Sequence, residues 1–208
     1  MPRRPNPSHP TRLRLIETVI ELAKTQSIES ITSDQVLETS GISKGSLYHH
    51  FEDFEDLVGM AAVRIYAAGV DMSNAAVQTM FKTCKSAAEF HNAIDALTID
   101  SQAPGRRVFR MNRVHLIAYA TRNERLRKLL AIEQQRLTDA MTGLVRQGQA
   151  KGWISPSVDP QVSAIFFQAY TLGRVIDDLV DQKMDSDAWI ALIKTITRSI
   201  FGPVPGKS

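Results

Sequence analysis

Residues 32–57, TSDQVLETSGISKGSLYHHFEDFEDL, decide the fold. Asp34 to Thr39 carries Val36 and Leu37 on a polar background, enough for a two-turn helix with one buried side. Gly41 follows, a residue that takes a positive φ without steric cost and so turns the chain. Ile42 supplies the apolar side chain for the corner, and Ser43 is a good N-cap for a second helix. Lys44, Gly45 and Ser46 form the first turn of that helix, and two of these three side chains are small. Leu47 and Phe51, four apart, face inward, while Tyr48, His49 and His50 point elsewhere. Asp53 caps a third helix, with Glu55 and Asp56 in its first turn, where the macrodipole favours acids. Two short helices about a tight turn read as a helix-turn-helix, whose second helix enters the major groove of DNA.

The stretch GISKGSLYHHFEDFEDL resembles the recognition-helix segment of the tetracycline-repressor (TetR) family of bacterial transcription regulators. Gly41, Ile42, Ser43, Gly45, Leu47, Tyr48, Phe51 and Leu57 all fall where the family pattern has them. The match covers residues 11–60; beyond it, only length and helical layout agree. The resemblance implies an all-α protein, with an N-terminal three-helix helix-turn-helix DNA-binding domain and a larger C-terminal helical bundle. It implies that Thr32, Ser43, Lys44, Gly45, Ser46, Tyr48, His49 and His50 face double-stranded DNA. Within that set, Lys44 and Ser46 would read bases, and Tyr48 and His50 would sit on phosphates. One departure matters. The family often has a phosphate-contacting lysine early in the next helix, and here Phe54 holds that position, so the contact is not carried over.

Composition agrees with such a protein. A chain of 208 residues holds one small and one medium domain, and 43% hydrophobic residues is ordinary for a soluble protein. No apolar run approaches a membrane span and no signal peptide is visible, so a cytoplasmic location is expected. Cys84 is the single cysteine, so no intrachain disulfide forms. The formal net charge is only +3, but its placement is uneven: residues 1–16 hold Arg3, Arg4, Arg12 and Arg14 and no acid. Such an arm either follows phosphates or stays solvated. Pro2, Pro5, Pro7 and Pro10 predict disorder over the first ten residues.

The rest of the chain reads as helix. Leu13, Ile16, Val19, Ile20 and Ala23 give a first helix that ends before Ile28. A helix from Asp53 runs through Leu57, Ala61, Ile65 and Tyr66. Further helices are expected over 86–101, 105–119, 123–148, 159–180 and 186–201, punctuated by Pro104, Gly152 and Pro156. The expected organisation is a disordered arm over 1–10, the DNA-binding domain over 11–57, a ligand-binding and dimerisation domain over 58–202, and a disordered tail over 203–208.

The helix expected over 159–180 starts well, with Asp159 as cap and Pro160 in its first turn. Val162, Ile165, Phe166, Ala169, Leu172, Ile176, Leu179 and Val180 form one stripe, and Phe167, Tyr170 and Val175 widen it. This arc exceeds the ~100° that a helix on a domain surface needs. Gly173, inside the stripe, permits close helix approach. Trp189, Ile190, Ile193, Ile196 and Ile200 offer a second stripe on the last helix. Two such helices from each of two chains would make a homodimer interface, for which Phe167, Gly173, Ile176, Trp189, Ile193 and Ile196 are the candidates. Two unusually buried helices in a monomer would give the same pattern.

Catalytic chemistry finds no support. His49 and His50 followed by Glu52 lack the i, i+4 spacing of a zinc-protease pair. His9, His91 and His115 have no partners at metal-ligand spacing. Asp177, Asp178 and Asp181 read as a solvated helix face. No enzyme, cofactor or metal site is expected. The resemblance, not the spacing, implies an effector pocket in the C-terminal bundle, with Met111, His115, Tyr119, Phe166 and Tyr170 as candidate walls. Those residues suit an apolar or aromatic compound with one polar handle. Two functions stay open on these grounds. One is a ligand-responsive DNA-binding regulator, most simply a dimeric repressor on a near-palindromic operator. The other is a helical ligand carrier or protein-interaction module that no longer reads DNA, for which Phe54 and the modest charge speak.

Overall fold

The computed structural model describes residues 8–202, and no strand occurs among them. The helices are α1 (Pro10–Leu22), α2 (Ser33–Ser40), α3 (Lys44–His50), α4 (Phe54–Thr83), α5 (Ala87–Gln102), α6 (Arg107–Ala120), α7 (Glu124–Ala150), α8 (Pro160–Gly173), α9 (Val175–Asp178) and α10 (Ser186–Phe201). The expected all-α architecture is therefore observed. Arg3 and Arg4 of the basic arm, and the expected tail over 203–208, lie outside the described residues. Helix α1 begins inside the stretch expected to be disordered: Pro10 is in its first turn and His9 is its N-cap. Proline fits there because the first helical N–H groups have no partner within the helix.

The chain divides into two compact units. The first takes the residues up to Gly69 together with Asn112–Ile132, and the second takes Val70–Met111 and the residues from Glu133 onward. This differs from a boundary at 57/58. The reason is the core of the first unit, where Leu57 and Ala61 of α4 are fully buried with Leu15, Ile16, Val19, Val36 and Leu47. Met60 and Ile65 pack against the same cluster, so the first turns of α4 belong to the three-helix domain. Neighbours press close on α4 at Gly59: a Cβ there would lie 2.3 Å from Leu126 Cδ1 and 2.8 Å from Tyr119 Cε1.

The second unit is built round Phe90 on α5, whose ring lies 5.5 Å from Phe81 and 5.4 Å from Trp153. Val145, Ile154 and Phe201 complete this core. Beside it runs a buried polar seam. Gln134 Nε2 on α7 donates to Gln168 Oε1 on α8 at 2.6 Å, and Gln168 Nε2 donates to Thr138 Oγ1 at 3.1 Å. Buried polar atoms persist where they satisfy one another, as these do.

The helix expected over 159–180 is two helices. Asp159 caps α8 as expected, its carboxylate accepting from Val162 N at 2.8 Å. Helix α8 then stops at Gly173, and α9 is a single turn beginning at Val175. Contacts invisible in the local sequence lie at the break. Arg174 is only 5% exposed and reaches back to α5, donating to the Gln102 carbonyl, and donates to Ser186 Oγ at 2.6 Å. Asp178, expected on a solvated face, is 7% exposed. It accepts a two-pronged bond from Arg110, Nε at 2.9 Å and Nη2 at 3.0 Å. Gly173 does not serve a close approach within the chain, since a Cβ there would meet nothing within 4 Å.

Removing one member of a buried ion pair strands the other, which costs about 3–5 kcal/mol, whereas replacing both by apolar groups of similar volume is often neutral. Asp178→Ala should therefore lower unfolding free energy in urea by about that amount. The double variant Arg110→Met/Asp178→Leu should recover most of the loss. Equal losses in the single and double variants would show that the pair does not anchor α9.

Candidate nucleic-acid interface

The helix-turn-helix is fixed by local capping. Thr32 and Gln35 make a reciprocal capping box: Gln35 N donates to Thr32 Oγ1 at 3.3 Å and Thr32 N to Gln35 Oε1 at 2.9 Å. Helix α2 ends on Gly41, whose φ of 67° is left-handed, and Ile42 N then donates to Ser40 Oγ at 3.2 Å, tightening the corner. Ser43 caps α3 by accepting from Ser46 N at 3.3 Å. Asp53 accepts from Asp56 N at 2.6 Å at the head of α4.

These caps present α3 with two distinct sides. Leu47 is fully buried, and Phe51, just beyond the helix end, is 2% exposed. Ser43, Lys44, Gly45, Tyr48 and His49 are exposed, and Ser46 is half-buried. Thr32 is also exposed, at the head of α2. A Cβ at Gly45 would meet no atom within 4 Å, so nothing within the chain requires a glycine there. The first turn of α3 thus offers a long cation, a bare backbone and a hydroxyl, the profile of a helix start that comes close to base edges.

His50 departs from the expectation. It is 6% exposed, so its ring is not a surface contact. It lies against His9 at 4.5 Å between ring centroids and edge-on to His49 at 5.1 Å. Burial, then the neighbouring His9, His49 and Arg12, push its pKa down, and Nδ1 has no protein hydrogen-bond partner. Arg12, expected in a solvated or DNA-following arm, is 3% exposed, with its guanidinium 4.8 Å from the centre of the Phe51 ring. The sequence missed both because their contacts join the start of α1 to the end of α3, and no local spacing reveals which helix covers which face. Phe54 is half-buried against the same core, so this position offers DNA no cation.

The five candidate effector residues fall in different units. His115 and Tyr119 belong to the first. There His115 Nδ1 lies 2.8 Å from Glu29 Oε1, and Tyr119 sits against Gly59. Burial foremost, then Asp53 and Glu55, pushes the Tyr119 hydroxyl up to about 12. Met111, half-buried on α6, belongs to the second unit, as do Phe166 and Tyr170, whose rings lie 5.6 Å apart. The Tyr170 hydroxyl is 3.1 Å from Thr98 Oγ1, and burial pushes its pKa up. Phe167 stacks on Phe201 at 4.8 Å. Gln134 and Thr138 on α7 and Gln168 on α8, which bond to one another in this unit, were not picked out from the sequence. The i, i+4 spacing of Gln134, Thr138 and Thr142 along α7 was the available signal.

The candidate dimer residues also separate. Ile193 is 3% exposed, so it is core and not interface. Trp189 is half-buried and its indole N–H donates to Gln102 Oε1 at 2.9 Å. Gly173 and Ile196 are half-buried. Ile176 is 73% exposed, and with it Val162 and Ile165 on α8, Leu179 after α9, and Leu192 and Ile200 on α10 lie on the surface.

Known proteins share this design. A family model described as BetI-type transcriptional repressor, C-terminal, matches residues 87–202, more than half of the chain. The HTH-type transcriptional regulator UidR of Escherichia coli K12 is 22% identical over 180 residues, 82% of each protein. The reduced form of Escherichia coli NemR superposes with a TM-score of 0.65 at 17% identity, covering 95% of this chain and all of that one. Salmonella enterica GusR gives 0.60 at 19% identity, over 94% and 98%. A regulator from Saccharomonospora viridis, solved in complex with choline, gives 0.68 at 17% identity, over 93% and 98%. At such identities the solved structures establish the fold alone. No helix among the described residues is long and apolar enough to cross a membrane. With the BetI-type match over its C-terminal half and the capped helix-turn-helix ahead of it, the chain belongs to the TetR family of transcriptional regulators and is not an enzyme.

Proposed function

We propose that this regulator is a cytoplasmic repressor that binds a near-palindromic operator as a homodimer and is released by a small molecule held in its C-terminal unit. The observation that carries the DNA-reading part is the first turn of α3, where exposed Lys44 precedes a glycine with open space above it. Lys44 and Ser46 read base edges, and Tyr48 and His49 hold phosphates. A dimer supports the operator symmetry, because two recognition helices read two half-sites.

Dimerisation uses the apolar surface of α8, α9 and α10. Val162 at 68%, Ile176 at 73%, Leu179 at 69% and Leu192 at 51% exposure are too many large apolar groups on three consecutive helices for a surface that stays in water. The effector reading rests on Phe166, Phe167 and Tyr170, with Thr98 and Gln168 as uncharged polar groups beside them. An apolar or aromatic compound with one polar handle suits such a lining. Choline, found in the Saccharomonospora relative, is the first compound to try, since aromatic faces also attract quaternary ammonium.

Three tests follow from these parts. Gel retardation on DNA upstream of the protein's own gene should show specific binding. Lys44→Ala should change preference at one base step by about 1–3 kcal/mol. Gly45→Ala should leave the fold intact and still weaken binding, because its methyl occupies the space the groove wall needs. An unchanged preference profile in Lys44→Ala removes it as a base reader. For the dimer, Ile165→Glu should give a folded monomer by sedimentation at micromolar concentration; a monomer in the parent protein refutes the dimer. For the effector, calorimetry with and without operator should give ligand affinities that differ by a coupling of about 1–3 kcal/mol, and operator affinity must shift by the same factor. Equal affinities in the two titrations exclude that compound as the inducer.

A further inference from the structure

Three imidazoles meet at the C-terminal end of the recognition helix, and they come from two helices. His50 lies beneath, buried, with its Nδ1 lacking a protein partner. His49 stands edge-on to it at 5.1 Å on the exposed side of α3. His9 comes from the head of α1 and lies over His50 at 4.5 Å, itself exposed. The family pattern places a phosphate contact at position 50. Here that ring is inside, and the ring at the surface above it belongs to His9.

The chemistry of His9 is set by its cap. The backbone N–H of Thr11 donates to His9 Nδ1 at 3.3 Å, so Nδ1 acts as an acceptor. A neutral imidazole carries one proton, and with Nδ1 accepting, that proton is on Nε2. Nε2–H is therefore a fixed donor on the ring edge away from the cap. The amide dipoles at the head of α1 add partial positive charge on the cap side of the ring. The groups that act on His50 here are His9, His49 and Arg12, none of them an acid.

We infer that His9 is a DNA-backbone contact whose Nε2–H donates to a phosphate oxygen beside the C-terminal end of α3, in the place that His50 vacates. The inference rests on the DNA-binding reading above. His9 binds as a neutral donor, positioning the helix without reading sequence, whereas Lys44 acts as a cation.

The two modes differ in salt dependence. A cation that neutralises a phosphate releases a counterion and adds about 0.9 to the slope of log affinity against log salt; an uncharged donor adds nothing. The experiment is fluorescence anisotropy at pH 8, where an ordinary imidazole is neutral. It uses a labelled duplex from upstream of the gene and a random-sequence duplex, each at several salt concentrations. His9→Asn keeps a capping oxygen for α1, but its amide is shorter than the imidazole and its N–H groups fall short of the place Nε2 holds. It should bind both duplexes about tenfold more weakly than the parent, with the parent's salt slope. His9→Lys restores a donor as a cation, and should bind more tightly than His9→Asn with a slope steeper by about 1. The inference is overturned if His9→Asn binds within twofold of the parent, if it loses affinity for the upstream duplex only, or if its salt slope falls. If the parent itself binds neither duplex, the DNA-binding reading fails first, and that outcome is distinct from a parent that binds and an Asn variant that binds equally well.

Discussion

The second unit is organised by two buried arginines that converge on the end of α5. The C-terminus of a helix carries partial negative charge on carbonyls that no further turn satisfies. At the end of α5, the Gln102 carbonyl accepts from Arg174, and the Ser101 and Ala103 carbonyls accept from Arg110 Nη1 at 3.3 and 3.5 Å. Arg110 spends its remaining prongs on Asp178. The Gln102 side chain, fully buried, takes the indole N–H of Trp189 on α10. One helix end thereby holds α6, the α8–α9 break and the start of α10. Arginine suits this place better than lysine, because its planar fork serves a carboxylate and carbonyls at once. Desolvating two guanidinium groups is expensive, and the gain here lies less in net stability than in a defined direction for α9.

That direction has a consequence for the surface. A helix continued through Gly173 without a break would carry its apolar stripe onward along one line. With Asp178 drawn inward, Ile176 and Leu179 are left outside. The wide apolar arc in the sequence is thus two surfaces. Phe166, Phe167 and Tyr170 pack within the unit, while Val162, Ile165 and Ile176 are left to water or to a partner. A monomer would keep these exposed side chains hydrated at a cost of roughly 25 cal/mol per Å².

What the sequence made legible follows from the range of each interaction. The caps at Ser43, Asp53 and Asp159, and the left-handed Gly41, join residues no more than four apart, and each stands as expected. The inward positions Leu47 and Phe51 were legible because helical spacing fixes a face. The errors concern partners distant in the chain. Asp178 looked solvated because its partner, Arg110, is 68 residues away. His50 looked accessible because the helix that covers it begins forty residues earlier. Ile193 shared a stripe with surface residues, and periodicity states which residues share a face but not what faces them.

The same distinction explains how α3 holds its place with so few residues. Helices of eight and seven residues, the lengths of α2 and α3, are too short to hold together in water alone. They persist because Val36 and Leu47 are locked into a core with α1 and α4, and because each has its own cap. Stability therefore resides in buried residues. Lys44, Gly45, Tyr48 and His49 are exposed and carry little of the fold. Substitutions there leave the core intact, whereas substitutions at Leu47 or His50 disturb the platform. His9 stands on both sides of this divide, since one edge of its ring caps α1 and the other is free to meet a phosphate. His9→Asn keeps the cap, so its effect on binding is read separately from the helix; His9→Lys drops the cap, so it is read through the salt slope, which a lost cap does not steepen.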